Sequence, residues 1–117
     1  MSSLNDSIRA TDPSVRVVLM TAPSAEEAVS IVNRLVEERL VACGNVVPGL
    51  RSIYRWKGEV HDDPEVLVVL KTVEGSVRAV IERTAELHSY DVPEILVLPV
   101  LAGHGPYLDW VRDETSE

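Results

Sequence analysis

The apolar positions of the chain begin to organise at Val15. Val15-Arg16-Val17-Val18-Leu19-Met20 is β-branched and apolar and stops at Thr21-Ala22-Pro23, which predicts a first strand with a turn behind it. Ser24 then opens a helix. Its hydroxyl suits the cap, Glu27 three residues on completes a capping box, and Ala25, Ala28, Val29, Val32, Leu35 and Val36 recur at helical spacing. Glu26, Asn33, Arg34, Glu37 and Glu38 fall on the opposite face. Leu40 to Val47 is a second apolar stretch, interrupted by Gly44-Asn45 and followed by Pro48-Gly49, a pairing that bends a strand or places a bulge. Alternation from Arg51 to Lys57, a turn at Gly58-Glu59 and a return through Val60 to Val66-Leu67-Val68-Val69-Leu70 make a hairpin signature.

Helical period resumes from Glu74 to Leu87, with Val77, Val80, Ile81, Thr84 and Ala85 on one stripe, and the helix is expected to end near His88. Pro93 holds Val92 extended, and Glu94-Ile95-Leu96-Val97-Leu98-Pro99-Val100 forms the fourth strand. Ala102 to Pro106 reads as a loop and Tyr107 to Asp113 as a short terminal helix. The order is βαββαβ with a helical tail, an α+β two-layer sandwich of the ferredoxin-like, split βαβ kind.

That architecture raises a packing problem. Helices on one sheet face leave the other to polar residues, yet three of the strands are apolar on both faces. About two turns of terminal helix do not shield three or four strands, so the second face is expected to be buried against other subunits.

Composition narrows the class. With 45% hydrophobic and 26% charged residues in 117, the chain has the make-up of one ordinary globular domain, assigned to residues 14–117. No apolar run approaches the roughly 20 residues of a membrane span. Met1 to Pro13 is rich in Ser, Asn, Asp and Thr without a continuous apolar core, so it reads as a mobile tail rather than a secretory signal. The single cysteine, Cys43, forms no intramolecular disulfide and fits a reducing compartment, with the cytoplasm expected. A net charge of −8 and scattered Lys and Arg argue against a nucleic-acid partner.

Strong catalytic signatures are absent: there is no phosphate-binding glycine loop, CxxC, HExxH or GxSxG. Cys43 is either a small buried hydrophobe in an apolar run or a soft metal ligand or reactive thiolate. His61 and His104 sit in loop-like surroundings and read as solvated. His88 ends a helix and begins the dense stretch His88-Ser89-Tyr90-Asp91-Val92-Pro93-Glu94, so it is a helix cap or a ligand. Lys71 and Glu94 lie at strand margins; a Lys71 pair with Glu94 or Glu65 would satisfy both charges, and a ligand site is the alternative. Tyr54, Trp56, Tyr90, Tyr107 and Trp110 are the aromatic residues, and in a chain with no Phe they are candidate core or interface anchors.

These residues carry a resemblance. Leu40-Val41-Ala42-Cys43 with Asn45, Ser52-Ile53-Tyr54-Arg55-Trp56-Lys57-Gly58, Glu65 leading to Leu70-Lys71-Thr72, His88-Ser89-Tyr90-Asp91-Val92-Pro93-Glu94-Ile95 and Tyr107-Leu108-Asp109-Trp110 resemble, in order and spacing, the CutA proteins of divalent-cation tolerance. The resemblance runs from about Val15 to Val111. It implies a trimer similar in architecture to the PII signalling proteins, formed by pairing strand edges between subunits. It also implies binding of copper or another divalent metal ion, with Cys43 and His88 as matching ligands and Glu65, Lys71, Tyr90 and Glu94 near an inter-subunit cleft. Tyr54, Trp56 and Trp110 are the interface candidates. The family's usual His-Pro-Tyr-Glu run appears here as His88-Ser89-Tyr90-Asp91, which frees a backbone N–H at Ser89 and shortens the acidic arm. A metal-binding trimer without catalytic activity is thus the leading expectation. A PII-like sensor or adaptor for a small ligand and an unidentified protein partner is the alternative, and an enzyme using Cys43 and His88 as nucleophile and base ranks last.

Overall fold

The computed structural model describes residues 8–9 and 14–115. β1 (Ile8–Arg9) pairs with β6 (Gly103–His104) in a two-residue antiparallel ladder. The rest of the predicted tail lies outside the described residues. The main elements follow as β2 (Val15–Ala22), α1 (Ala25–Glu37), β3 (Cys43–Trp56), β4 (Glu59–Val73), a 3-10 turn (Glu74–Ser76) leading into α2 (Val77–Leu87), β5 (Ile95–Pro99) and α3 (Gly105–Thr115). The four long strands form one antiparallel sheet in the order β3-β4-β2-β5, the ferredoxin-like arrangement expected from the sequence.

α1 starts where the cap predicts: Ser24 is extended and its hydroxyl accepts from the Glu27 amide at 3.1 Å. The reciprocal half of the capping box does not form, because the Glu27 carboxylate accepts from the amide of Ser89, 62 residues on. The helix ends with Arg39 in the left-handed region at φ 60°, and the Leu40 amide bonds back to Leu35 O at 3.0 Å.

The core lies between the two helices and the sheet. Val18, Met20 and Ala22 of β2 and Val66, Val68 and Leu70 of β4 point at Ala28, Ile31, Val32 and Leu35 of α1 and Val80 of α2, all buried. Each Val, Leu, Ile or Met side chain among them removed from water contributes about 1.5–3 kcal/mol before entropy is counted. Gly44 is part of this packing. A Cβ built there would stand 2.7 Å from Val32 Cγ1 and 2.8 Å from Leu70 Cδ2, so helix and sheet approach as closely as they do only because the side chain is missing. Gly44→Ala should therefore destabilise the chain by about 1–3 kcal/mol through overpacking. Chemical denaturation measures this directly, and an unchanged midpoint would show that the layers can part at no cost.

The opposite face of the sheet carries Val17, Leu19 and Thr21, Leu67 and Val69, and Leu96 and Leu98, which the strand register places side by side. α3 covers only one corner, where Leu108 and Val111 pack on Val15 and Ala42 with Val73 and Val100 alongside. Leu96 remains 53% exposed and Leu98 43%. The terminal helix is longer than predicted, yet it does not cover this face, where Val17, Leu19, Leu67 and Val69 are half-buried and Leu96 and Leu98 exposed.

The β3–β4 hairpin reaches beyond the sheet. Its loop is Lys57-Gly58, with φ of 51° and 82°, the two left-handed positions of a type I′ turn whose twist suits the flanking strands. Halfway along, the register slips between Val47 and Leu50, where three steps on β3 match two on β4, from Leu67 to Glu65. This is the bulge predicted at Pro48-Gly49, with Gly49 at φ 87°. Beyond it the arm projects on its own. The molecule measures 57 × 27 × 21 Å with a radius of gyration of 15.9 Å, against about 13 Å for a compact chain of this length.

Candidate functional site

His88 caps α2 and turns out to be a buried hub. Its backbone leaves the helix in an extended conformation, and its own amide still bonds to Thr84 O. The ring sits under the end of β2, where Nε2 lies 2.7 Å from the Thr21 carbonyl oxygen and Nδ1 accepts from the Tyr90 amide at 3.0 Å. A carbonyl needs a donor and an amide needs an acceptor, so the ring is the neutral tautomer with its proton on Nε2. The Glu27 carboxylate approaches Nδ1 to 3.5 Å while accepting from Ser89 at 2.9 Å. Ser89 stands where the family motif has proline, and its N–H is used. Sequence reasoning gave Glu27 only the local capping role. Its partners lie some sixty residues away, and no local pattern announces them.

Tyr90 continues the network outward. Its ring tilts against His88 with centroids 4.7 Å apart, and its hydroxyl donates to Glu65 Oε2 at 2.7 Å. Burial, and then the adjacent Glu65 carboxylate, hold the phenol well above its ordinary pKa, so it remains a donor. Tyr90 and Glu65 line a cleft of about 600 Å³ together with Thr21, Tyr54, Trp56, Asp91 and Glu94. The Tyr54 hydroxyl donates to Asp63 at 2.7 Å and its ring stacks on His61 at 5.1 Å. Three of the four residues expected near a cleft, Glu65, Tyr90 and Glu94, are thus brought together, with Tyr54 and Trp56 as aromatic walls.

Lys71 is not with them. It lies six residues from Glu65 along β4, about 20 Å in an extended strand, and its ammonium donates to Asn45 Oδ1. The pairing with Glu94 or Glu65 considered from sequence does not form. Lys71 instead faces Cys43 across the β3–β4 ladder. Cys43 is partly buried, with Sγ 3.6 Å from the Tyr107 hydroxyl, and Tyr107 in turn packs against the Trp110 ring at 5.6 Å. Burial and then the Cys43 contact raise the Tyr107 phenol to about 12.

Cys43 and His88 therefore occupy two places. Through Lys71, Cys43 aligns with Val17, whereas His88 reaches Thr21, four residues further along β2 and about 13 Å away. They form no nucleophile and base pair. Nor do they form a chelating set within one chain: among the described residues no three of His, Cys, Asp and Glu are grouped to hold a metal ion, and both His88 nitrogens already have partners. Among the described residues no helix is long and apolar enough to cross a membrane.

A four-stranded ferredoxin-like sheet with an outreaching hairpin and an acidic, aromatic cleft along its side defines the structural class. The family model described as CutA1 divalent ion tolerance protein matches residues 16–114, and the chain belongs to that family. It is 54% identical over 100 residues to the divalent-cation tolerance protein CutA of Thermus thermophilus, covering 86% of this chain and 97% of that protein. The solved structure of the Thermus thermophilus protein superimposes with a TM-score of 0.85 at 52% identity, over 87% of this chain and 99% of that one. CutA from Synechococcus elongatus gives a TM-score of 0.89 at 30% identity, over 96% and 98%. A chloroplastic CutA of Arabidopsis thaliana is 40% identical over 105 residues, but there 90% of this chain spans 57% of the relative.

Proposed function

We propose that this chain works as a cytoplasmic homotrimer in the response to divalent metal ions, binding copper or another divalent ion. The observation that carries the oligomer is the bare second face of the sheet. Val17, Leu19, Leu67, Val69, Leu96 and Leu98 form a contiguous apolar surface of the kind that proteins bury against partners. Tyr54 and Trp56 on the arm and Trp110 on α3 flank it and are the proposed contact residues. The family model and the Thermus thermophilus relative, both named for divalent-ion tolerance, support the tolerance role.

For metal, Cys43 is the more available donor, since it is only partly buried and its thiol lies against the Tyr107 hydroxyl. His88 could contribute only by releasing Thr21 or Tyr90. A complete site would therefore join Cys43 to donors from another copy. The test is an anaerobic copper titration of the native protein beside Cys43→Ser, with the mass of each species followed by light scattering. Saturable uptake by a trimer that falls at least about tenfold in the variant, the loss of a strong thiolate ligand, is the expected result. Equal uptake by both proteins would remove Cys43 from the site.

A second reading, a sensor or adaptor that takes a small ligand and signals to a protein partner, is favoured by one observation: the cleft is a formed, concave space with convergent polar groups.

A further inference from the structure

The loop that carries Tyr90 has no main-chain framework of its own. Among the described residues, Ser89 to Pro93 make no backbone-to-backbone hydrogen bond between the end of α2 and the start of β5. The first two amides are held by side chains instead, Ser89 by the Glu27 carboxylate at 2.9 Å and Tyr90 by His88 Nδ1 at 3.0 Å. The loop is therefore tied on two sides. Ser89 joins it to α1, and the Tyr90 hydroxyl joins it to Glu65 on β4. Glu27 itself stands on a rigid element, the first turn of α1, where the Ser24 cap uses its amide and leaves its carboxylate for Ser89. That carboxylate is only 22% exposed, with His88 Nδ1 3.5 Å away.

The backbone leading into Ser89 has the shape that a proline would impose. Where the family's usual motif has proline, φ is fixed and the preceding residue is confined to extended conformations. His88 is extended here, at φ −79° and ψ 144°, although serine imposes nothing. Serine also brings freedom that folding must remove and an N–H that must be bonded. The Glu27 carboxylate meets both demands with one charge-assisted bond. We propose that Glu27 is the positioning residue of this loop: through Ser89 it supplies the restraint that the usual motif takes from proline, and so sets Tyr90 within reach of both His88 and Glu65. The proposal rests on the ligand-sensing reading for its consequence, since Tyr90 and Glu65 line the cleft. Every bond it invokes lies within one chain.

Hydrogen exchange of individual amides in the ligand-free full chain tests it. Rates are read by NMR at neutral pH in the native protein, Glu27→Gln, Glu27→Ala, Ser89→Pro and the double variant Glu27→Ala with Ser89→Pro. Glu27→Ala keeps the Ser24 cap and places a strong helix former in α1, so the helix stands. It should speed exchange about tenfold at Ser89, whose bond it removes, and about fivefold at Tyr90, whose amide bonds to His88 and not to Glu27. Glu27→Gln keeps an acceptor and should hold Tyr90 within about twofold of native. In the Ser89→Pro background, Glu27→Ala should leave Tyr90 unchanged, because the pair is already uncoupled. Native-like Tyr90 exchange in Glu27→Ala would show that Glu27 satisfies Ser89 alone and would overturn the proposal. So would equal acceleration of Tyr90 by Glu27→Ala with and without Ser89→Pro, or exchange in Glu27→Gln as fast as in Glu27→Ala. Ligand screening by calorimetry is a separate readout. A cleft that takes no ligand removes the consequence and leaves the Glu27 restraint standing, whereas lost coupling refutes the restraint whatever the cleft binds.

Discussion

Leu19→Asp is expected to reduce the particle in solution to a single chain, about one-third of the native mass. Leu19 lies in the middle of the bare sheet face, with Val69 beside it on β4 and Leu96 on β5. The nearest cation on that face, Lys71, is one pleat further along β4 and already donates to Asn45, so burying a carboxylate at position 19 in an interface costs several kcal/mol, enough to outweigh a contact of ordinary size. The core under α1 and α2 is built from the alternate residues Val18 and Met20 and does not involve position 19. The variant should therefore keep its secondary structure while losing its partners. Light scattering decides the matter together with circular dichroism. A native protein that already has the mass of one chain, or a variant that keeps the native mass, would refute the claim that this face is the interface.

His88→Ala should destabilise the protein by about 3 kcal/mol, a larger loss than at any exposed candidate residue. The ring is buried, and its removal leaves the Thr21 carbonyl and the Tyr90 amide without their partners as well as opening a cavity. Each orphaned buried group costs about 1–3 kcal/mol. His88→Gln, whose amide can reach one of the two partners, should lose less. Equilibrium denaturation measures both. If His88→Ala unfolds with the native midpoint, the ring's bonds are not structural. This result also bears on metal: weaker copper uptake by His88→Ala could follow from the collapse of the Tyr90 loop alone. Only Cys43→Ser, at a partly exposed position, reports on ligation without that complication.

The contrast between these two sites shows what the chain's pattern could reveal. The faces of β2 and β4 were legible because a strand repeats every two residues, and runs such as Val66 to Leu70 leave no polar face to alternate with. The Ser24 cap, the bulge at Pro48-Gly49 and the end of α2 at His88 were legible because each is a local device. The turn of the hairpin fell one residue earlier than expected, at Lys57-Gly58, since type I′ geometry needs two left-handed residues and Glu59 is free to begin the strand. The site was legible only in part. Glu94 was placed at a strand margin by the pattern alone, whereas Glu65 and Tyr90 were set beside a cleft only through family resemblance, and the cleft joins β4 to the stretch that follows α2. Glu27 was hidden by a local motif that explained it too well. The separation of Lys71 from Glu65 follows from strand rise alone and could have been computed once both were placed on one strand.

The bulge between Val47 and Leu50 has a meaning beyond a bend. On its inner side the open sheet face receives odd-numbered residues of β3, Asn45 and Val47, while on its outer side the same face receives Leu50, Ser52, Tyr54 and Trp56. A single additional residue inverts the parity of everything that follows. Had the same residues run on in regular register without the bulge, Arg51, Ile53 and Arg55 would fall on the open face and Tyr54 and Trp56 on the other, taking two aromatic walls from the cleft and setting two cations beside its carboxylates. The chemical identity of the site is thus written less in the residues that touch it than in the reading frame that Pro48-Gly49 imposes on them.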